Sequence, residues 1–455
     1  MEGTLVLGQV SQINPQDIAV ALPNNLTGYV SLTRISPKLT KSVESLIKDE
    51  TDDEEDVDLP RLDELFTLGQ WLRTVVVENT GITGSIDSKR KHIELSVEPE
   101  LVNAGTQLDD ILPKKLLQVS VSSIEDHGLI VSLGIPNLTG FIKKTALGAY
   151  SLDTIKEGQV FLASVDHRPK NKVVQLGLDL NSTKTPIKDV TDIATLLPGD
   201  TVQFLVSEVR SAGAGGKILG MLDATIDQQH IGTSTITENK QITARITAVF
   251  PSAEPRRATL SVLPHILNLE VAKTKTGQTP LETLPIGFIL ETAKITDVIP
   301  EQGVYVDVGV DGVKGFVHVS RLSDSRVDNL SPTTGPFKTS SLHRARITGY
   351  NPLDNLFLLS FEQHILSQPF LRIEDVEIAA KLEGTVERVL ERGVVMRLAE
   401  GITGWIPIEQ SADVVPGSGG KMKGKDIIGW ERRFKEGTKM KCRVHPHLPK
   451  MGFLC

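Results

Sequence analysis

At 455 residues the chain is too long for one ordinary core, and length alone suggests about three domains. No apolar run approaches the roughly 18 residues of a membrane span, no signal-peptide pattern precedes the first strand-like run "TLVLGQV", and the two cysteines, Cys442 and Cys455, supply neither a disulfide framework nor a cysteine metal site, so a reducing intracellular compartment is expected. The formal charge of −8 argues against nucleic acid only until it is located: residues 49–58, "DETDDEEDVD", hold eight carboxylates and no base, so the remainder sums to −8 + 8 = 0 and can still carry basic patches.

Taken in chain order, the segments repeat. Residues 1–104 carry "GYVSLT" (28–33), the acidic insertion at 49–58, then "WLRTVVVE" and "HIELSV". Residues 112–182 carry "GFIKKT" (140–145), "VFLASVDH" and "VQLGLD". Residues 284–366 carry "GFVHVS" (315–320), "LHRARITGY" and "LFLLSF". Residues 376–455 carry "GWIPIE" (404–409), "KMKCRVHP" and, at the incomplete C-terminal end of this unit, "KMGFLC". The opening glycines Gly28, Gly140, Gly315 and Gly404 are 112, 175 and 89 residues apart. The last spacing is one period, the middle one nearly two, and the first is one period plus the acidic insertion. A hidden, degenerate unit is therefore predicted over residues 197–265. There "QITARITAVF" and "ATLSVL" supply closing strands, but "DATIDQQHIG" stands where a glycine–aromatic step would be.

Each unit offers five short alternating segments. A small closed barrel fits that number and removes exposed edges, whereas a propeller blade has four strands and a period nearer 40. The expected fold class is all-β: tandem five-stranded OB-fold barrels, arranged as beads on a string.

Period-two alternation puts Val317 and Val319 inside the fourth barrel, with Val30, Ile142 and Ile406 in the same phase. Tyr29, Phe141, Phe316 and Trp405 then point outward, where an aromatic can stack on a base or simply cover the barrel. Local charge separates the units. The fourth adds Tyr305 on the neighbouring strand, Arg344 and Arg346 flanking inward Ala345, and Arg321 and Arg326 in the following loop. Aromatics beside arginines are what single-stranded RNA needs. The fifth offers Trp405 with Lys441 and Arg443, but Val395 in place of Tyr305; the second offers Phe141, Lys143 and Lys144, plus Arg168, Lys170 and Lys172; the first keeps Tyr29 but has Ala19 beside it. The third is expected to bind RNA poorly and to meet protein or space its neighbours.

Other motifs carry little chemistry. "SKRKH" (88–92) reads as a basic hairpin turn rather than an import signal, and "SAGAGGKILG" (211–220) as a flexible turn, since it lacks phosphate-loop spacing. The ten histidines form no metal-binding spacing, "HPH" (445–447) included, and the clustered carboxylates sit in a segment of like charge that cannot position an acid and a base. No catalytic residue, metal or cofactor is assigned.

"ETAKITDVIPEQGVYVDVGVDGVKGFVHVSRLSD" followed by "ARITGYNPLDNLFLLSFEQ" resembles the S1 RNA-binding domain, an OB-fold. The resemblance implies an RNA face built on Tyr305, Phe316 and His318. The whole arrangement, acidic insertion included, is similar to the N-terminal part of the eukaryotic multi-S1-repeat rRNA-processing factors of the small-subunit processome. That resemblance implies a nuclear, nucleolar scaffold for small- and large-subunit assembly. Its partners would be precursor rRNA, small nucleolar RNA and other ribosome-assembly proteins, with no small-molecule substrate. Two alternatives stand beside it: the RNA-binding arm of a ribonuclease whose catalytic domain lies elsewhere, and an array that mainly binds protein.

Overall fold

The structure is a computed structural model that describes residues 2–48, 61–81, 91–169, 172–187, 190, 193–232, 234–327, 329–372, 375–390, 393–399, 402–407 and 434–444. The acidic insertion, residues 88–90 of "SKRKH", Lys170, "HPH" and the "KMGFLC" segment lie outside the described residues.

The first barrel comprises β1 (Leu5–Ile13), β2 (Asp17–Leu22), β3 (Leu26–Ser31), β4 (Trp71–Gly81) and β5 (Lys91–Ser96). The second comprises β6 (Leu116–Glu125), β7 (Gly128–Ser132), β8 (Thr139–Lys143), β9 (Val160–Val165) and β10 (Val173–Gly177). The third is β11 (Thr201–Arg210), β12 (Gly213–Ile218), β13 (Leu222–Asp227), β14 (Gln241–Phe250) and β15 (Arg257–Ser261). The fourth is β16 (Ile289–Ile299), β17 (Gly303–Asp307), β18 (Lys314–His318), β19 (Leu342–Asn351) and β20 (Leu356–Ser360). In the fifth, β21 (Lys381–Leu390), β22 (Gly393–Ala399), β23 (Ile402–Pro407) and β24 (Lys439–Arg443) form a four-stranded sheet among the described residues.

The first four rings share one connectivity. Strand one pairs with strands two and four, strand three pairs with two and five, and five returns to four. The parallel contact is between strands three and five, as in Gly140↔Val174 and Ala224↔Ala258. One long strand must therefore serve two neighbours, and every first strand carries a bulge where it changes partner: Val10/Gln12, Val121/Ser123, Val206/Glu208, Ile295/Asp297 and Val386/Arg388. The extra residue bends and twists the strand so that the sheet can close. The alternating inward residues fill the interiors: Ile18, Val20 and Val30 in the first, Leu129, Val131 and Ile142 in the second, and Val304, Val306 and Val317 in the fourth are all fully buried.

The "SAGAGG" stretch corrects its reading as a flexible turn. Gly213–Ile218 is β12, paired on both sides. Its glycines admit close backbone approach: a Cβ at Gly213 would lie 2.1 Å from the Ile226 carbonyl oxygen, and one at Gly216 would lie 2.0 Å from that of Leu205.

The chain divides into two compact units. One is Met1–Thr283 with Val310–Lys314 and Tyr350–Leu356; the other is the remainder. Within the first unit the barrels are joined more closely than beads on a string. The β1 strand pairs antiparallel with β14, Leu5↔Val249 and Val6↔Ala248, so the first and third rings share one ten-stranded sheet. Gln70 and Gln159 occupy the same place before the fourth strand of their barrels, and each donates a side-chain N–H to the other barrel, Gln70 to Val160 O and Gln159 to Leu65 O, both at 2.9 Å. The fully buried Arg73 guanidinium donates to Pro198 O, Asn103 Oδ1 and Leu116 O at 2.8–3.0 Å.

Candidate nucleic-acid interface

The repeated glycine is the inward residue of strand three. A Cβ on Gly28 would lie 2.4 Å from Leu95, on Gly140 2.5 Å from Val131, and on Gly315 2.3 Å from Leu359. The leucine of the closing strand or a neighbouring valine fills the space that a side chain would need. The residue two positions on is inward and buried in the first, second and fourth barrels, as the alternation predicts. Ile406 is half-buried against the fifth core, and Val319 leaves the strand into a short 3-10 turn, Val319–Arg321, where it is half-exposed rather than inside.

The intervening aromatics Tyr29, Phe141, Phe316 and Trp405 are half-buried on the outer face. Part of each ring's cover has a structural cause where strand two opens on a glycine. A Cβ on Gly303 would come 3.0 Å from Phe316, and one on Gly393 would come 2.6 Å from Trp405. The ring thus packs against a glycine and stays half-exposed.

The residue paired across strands decides what each barrel presents beside that ring. The partners are Ala19 for Tyr29, Ile130 for Phe141 and Val395 for Trp405. In the fourth barrel the equivalent residue, opposite Asp297 at the bulge, is Tyr305. Its ring lies 5.1 Å from that of Phe316 at 49°. This is an aromatic pair within the range that favours contact, with His318 exposed two residues along the same strand. His318 Nδ1 accepts the Ser320 backbone N–H at 3.2 Å. A backbone N–H can only donate, so this ring nitrogen bears no proton and Nε2 carries the N–H. In the third barrel the same two places hold Gly215 and Thr225, with the Glu208 side chain over Gly215.

The arginines divide. Arg321, in the turn after β18, pairs with the nearly buried Glu362 at 3.0 Å. Arg344 is exposed and pairs with Glu291 on β16 at 3.0 Å. Arg346 was expected outward, and it does lie on the outer side of β19, but that side is covered. It is only 5% exposed, and donates to Gly287 O at 3.0 Å, to Ile365 O at 2.9 Å and to Gln368 O. Burial lowers its pKa. Arg245 has the same place in the third barrel and the same task, donating to Gly199 O and Leu267 O. The outside of the barrel is thus partly an interior, because the segment after strand five folds back over strand four. Arg326 lies in the loop beyond.

In the second barrel Phe141 and exposed Lys143 share one face of β8, with Lys144, Arg168 and Lys172 also exposed. In the fifth, Trp405 is on β23 while Lys441 and Arg443, both exposed, are on β24, at opposite edges of the four-stranded sheet. These the structure does not bring together. One cation escaped the sequence reading. Lys294 is exposed between inward Ala293 and Ile295 on β16, opposite Asp307, on the outer face that carries Tyr305. Its alternation with buried neighbours was the available signal. Asp324, Glu362 and His364 gather within 4.8 Å. They are bound to one another and to Arg321, however: His364 Nδ1 bonds Asp324, which lowers the Asp324 pKa, and Glu362 receives Arg321 and Ser360. A guanidinium beside the cluster opposes a cation.

No protein-family model matches the chain. It is 38% identical over 460 residues to the rRNA biogenesis protein rrp5 of Schizosaccharomyces pombe, an alignment covering 97% of this chain and 26% of that protein. The chain resembles the RRP5 rRNA biogenesis proteins. With the Protein RRP5 homolog of Homo sapiens the identity is 29% over 460 residues, again 97% of this chain and 23% of the relative. The small ribosomal subunit protein bS1 homolog of Bacillus subtilis is 26% identical over 219 residues, 46% of this chain and 54% of that one. The barrels resemble S1 repeats, and the chain spans about a quarter of the length of the RRP5 relatives that it matches.

Proposed function

We propose that the chain is a non-catalytic RNA-binding scaffold of ribosome biogenesis, holding precursor rRNA on tandem S1-type repeats within the boundaries 1–104, 112–182, 197–265, 284–366 and 376–455. The observation that carries this reading is the Tyr305–Phe316 pair on the outer face of a closed barrel, with the His318 Nε2–H and Lys294 beside it. Two rings side by side supply stacking platforms for successive bases, each worth about 1–3 kcal/mol. Lys294, Arg344 and Arg321 supply phosphate contacts. Phe141 with Lys143, Tyr29, and Trp405 are weaker platforms of the same design, with Lys441 and Arg443 on the opposite edge strand of Trp405's sheet. Weak sites on one chain add through effective concentration. Precursor rRNA, small nucleolar RNA and other assembly proteins are the partners this reading names, and the nucleolus its place.

The test is fluorescence anisotropy of the 455-residue chain with single-stranded RNA at two salt concentrations. Tyr305→Ala with Phe316→Ala should weaken binding by about 2–6 kcal/mol at the fourth barrel's site if both bases stack, and wild-type affinity should fall with salt. Affinity indifferent to the pair would sink the reading. For the third barrel alone, Gly215 and Thr225 in the two platform positions favour a protein-facing or spacing role.

A further inference from the structure

A cleft of about 360 Å³ opens at one end of the second barrel, walled by Leu108, Ile135, Pro136, Leu138 and Lys172 among others. Its two sides are the segment that leads into the barrel and the turn between β7 and β8, and both are fixed. Gly134 has φ +67°, and a Cβ there would come 2.2 Å from Glu100 N, so the turn sits directly on the backbone of the short helix Pro99–Val102. Buried Asn103 donates to Leu133 O at 2.9 Å and to Gln118 O at 2.7 Å. On the other side, the 3-10 turn Leu108–Asp110 is closed by the Asp110 carboxylate, which accepts the Gln107 N–H at 2.9 Å. The cleft is thus formed before anything enters it, and its volume is within the roughly 300–1,000 Å³ of small-molecule sites.

Three features select the occupant. First, the walls are largely apolar, with Leu108 and Pro136 exposed at the mouth; exposed Gln107 and Asn137 add amides that can meet a polar edge. Second, the rim carries a cation. Thr139 donates its backbone N–H to Lys172 O at 2.9 Å, which fixes the start of β10 beside the start of β8. Lys172 is exposed and forms no ion pair among the described residues, and Arg168 of the same turn is exposed as well. Third, the cleft continues the outer face of β8. Thr139, next to the lining residue Leu138, is exposed two residues before Phe141, about 7 Å along the strand, and Lys143 follows two residues after it. A strand of RNA lying over Phe141 along β8 therefore reaches the cleft.

We propose that this cleft holds one nucleotide of single-stranded RNA, its base between Leu108 and the Ile135–Leu138 turn and its phosphate on Lys172. A base offers apolar faces and a polar edge, which suits apolar walls with amides at the mouth, and the lysine at the rim calls for the anion that a leucine- or phenylalanine-like side chain would lack. The inference rests on the reading of the chain as an RNA scaffold, and adds to the second barrel a site that its single platform, Phe141, does not supply.

The δ1-methyl NMR signal of Ile135, assigned through Ile135→Val in the 455-residue chain, reads the cleft directly. Adenosine 5′-monophosphate is the probe, with ribose 5-phosphate and N-acetyl-leucinamide for comparison. The signal should shift saturably with the nucleotide, and less at high salt. Lys172→Gln should weaken the response about fivefold and remove most of its salt dependence. Leu108→Ser should weaken it about fivefold and leave the salt dependence in place. Both positions are exposed, so the fold does not depend on them. No saturable shift, an equal response to ribose 5-phosphate, a response to N-acetyl-leucinamide in place of the nucleotide, or a shift unchanged in both variants would overturn the site. Single-stranded RNA that binds the chain and leaves Ile135 unmoved would overturn the cleft alone; a nucleotide response in a chain that binds no RNA would support the cleft and defeat the scaffold reading.

Discussion

Two arginines on β19, two residues apart on either side of Ala345, show how little strand phase says about a side chain's work. Arg344 meets water and one carboxylate; Arg346 meets three carbonyls and almost no water. Arg346→Met should destabilise the chain by about 1–3 kcal/mol, because buried carbonyls lose their donors. Chemical denaturation monitored on the second unit would register it. Arg344→Met should stay within about 0.5 kcal/mol, as surface pairs do, while weakening RNA binding. If the effects exchange, the structural assignment of Arg346 fails. The sequence offered both as outward cations, since alternation reports which side of a strand a residue takes and nothing of what later segments lay over that side.

At the scale of the strand, glycine carries the closing geometry. Gly303 has φ +151°, and a Cβ there would lie 2.1 Å from Val317 O, a backbone atom that cannot swing away. Gly128 and Gly213 repeat the contact against Ile142 O and Ile226 O. Gly303→Ala should therefore cost more than the ordinary ~1 kcal/mol of a glycine exchange and should disturb Phe316, which lies over the same glycine. Melting and the Phe316 ring signals by NMR would both report it; an alanine variant of unchanged stability would refute the contact. The strands and the hidden third repeat were legible because alternation and spacing are local or periodic. The tandem barrels and the outward Tyr29, Phe141, Phe316 and Trp405 followed from the same pattern. The bulges were not legible, since an extra residue in a strand leaves no compositional mark. The glycine-rich β12 was misread because glycine signals both looseness and close approach, and only its neighbours decide which.

At the scale of the molecule, the first unit buries polar and charged groups where separate beads would leave them wet. His265 is one: its Nε2–H donates to Leu353 O at 2.8 Å, and Asp354 and His230 lie close by, 3.2 Å apart. Burial, before any neighbour, holds the His265 pKa below its ordinary 6.5, with like-charged His230 adding to the effect and Asp354 and the carbonyl opposing it. In the window below that value the unfolded chain binds a proton that the folded chain refuses. Stability from this group is thus present above about pH 6.5 and lost as pH falls. Thermal melting of the 455-residue chain from about pH 7.5 to 5 should show the loss, and His265→Gln should flatten it. An equal acid slope in the variant would place the effect elsewhere.

The β1–β14 pairing also sets a timetable. Leu5 meets Val249, 249 − 5 = 244 residues later. The second barrel draws its strands from within 62 consecutive residues, 116 to 177, and can close as soon as they leave the ribosome. The seam between the first and third barrels must wait, holding the edge of β1 open through the synthesis of everything between. At about 5–20 residues per second that is an interval of roughly 12–50 s, during which an unpaired strand edge is open to wrong partners. The chain would thus pass through a long exposed stage while it is being made.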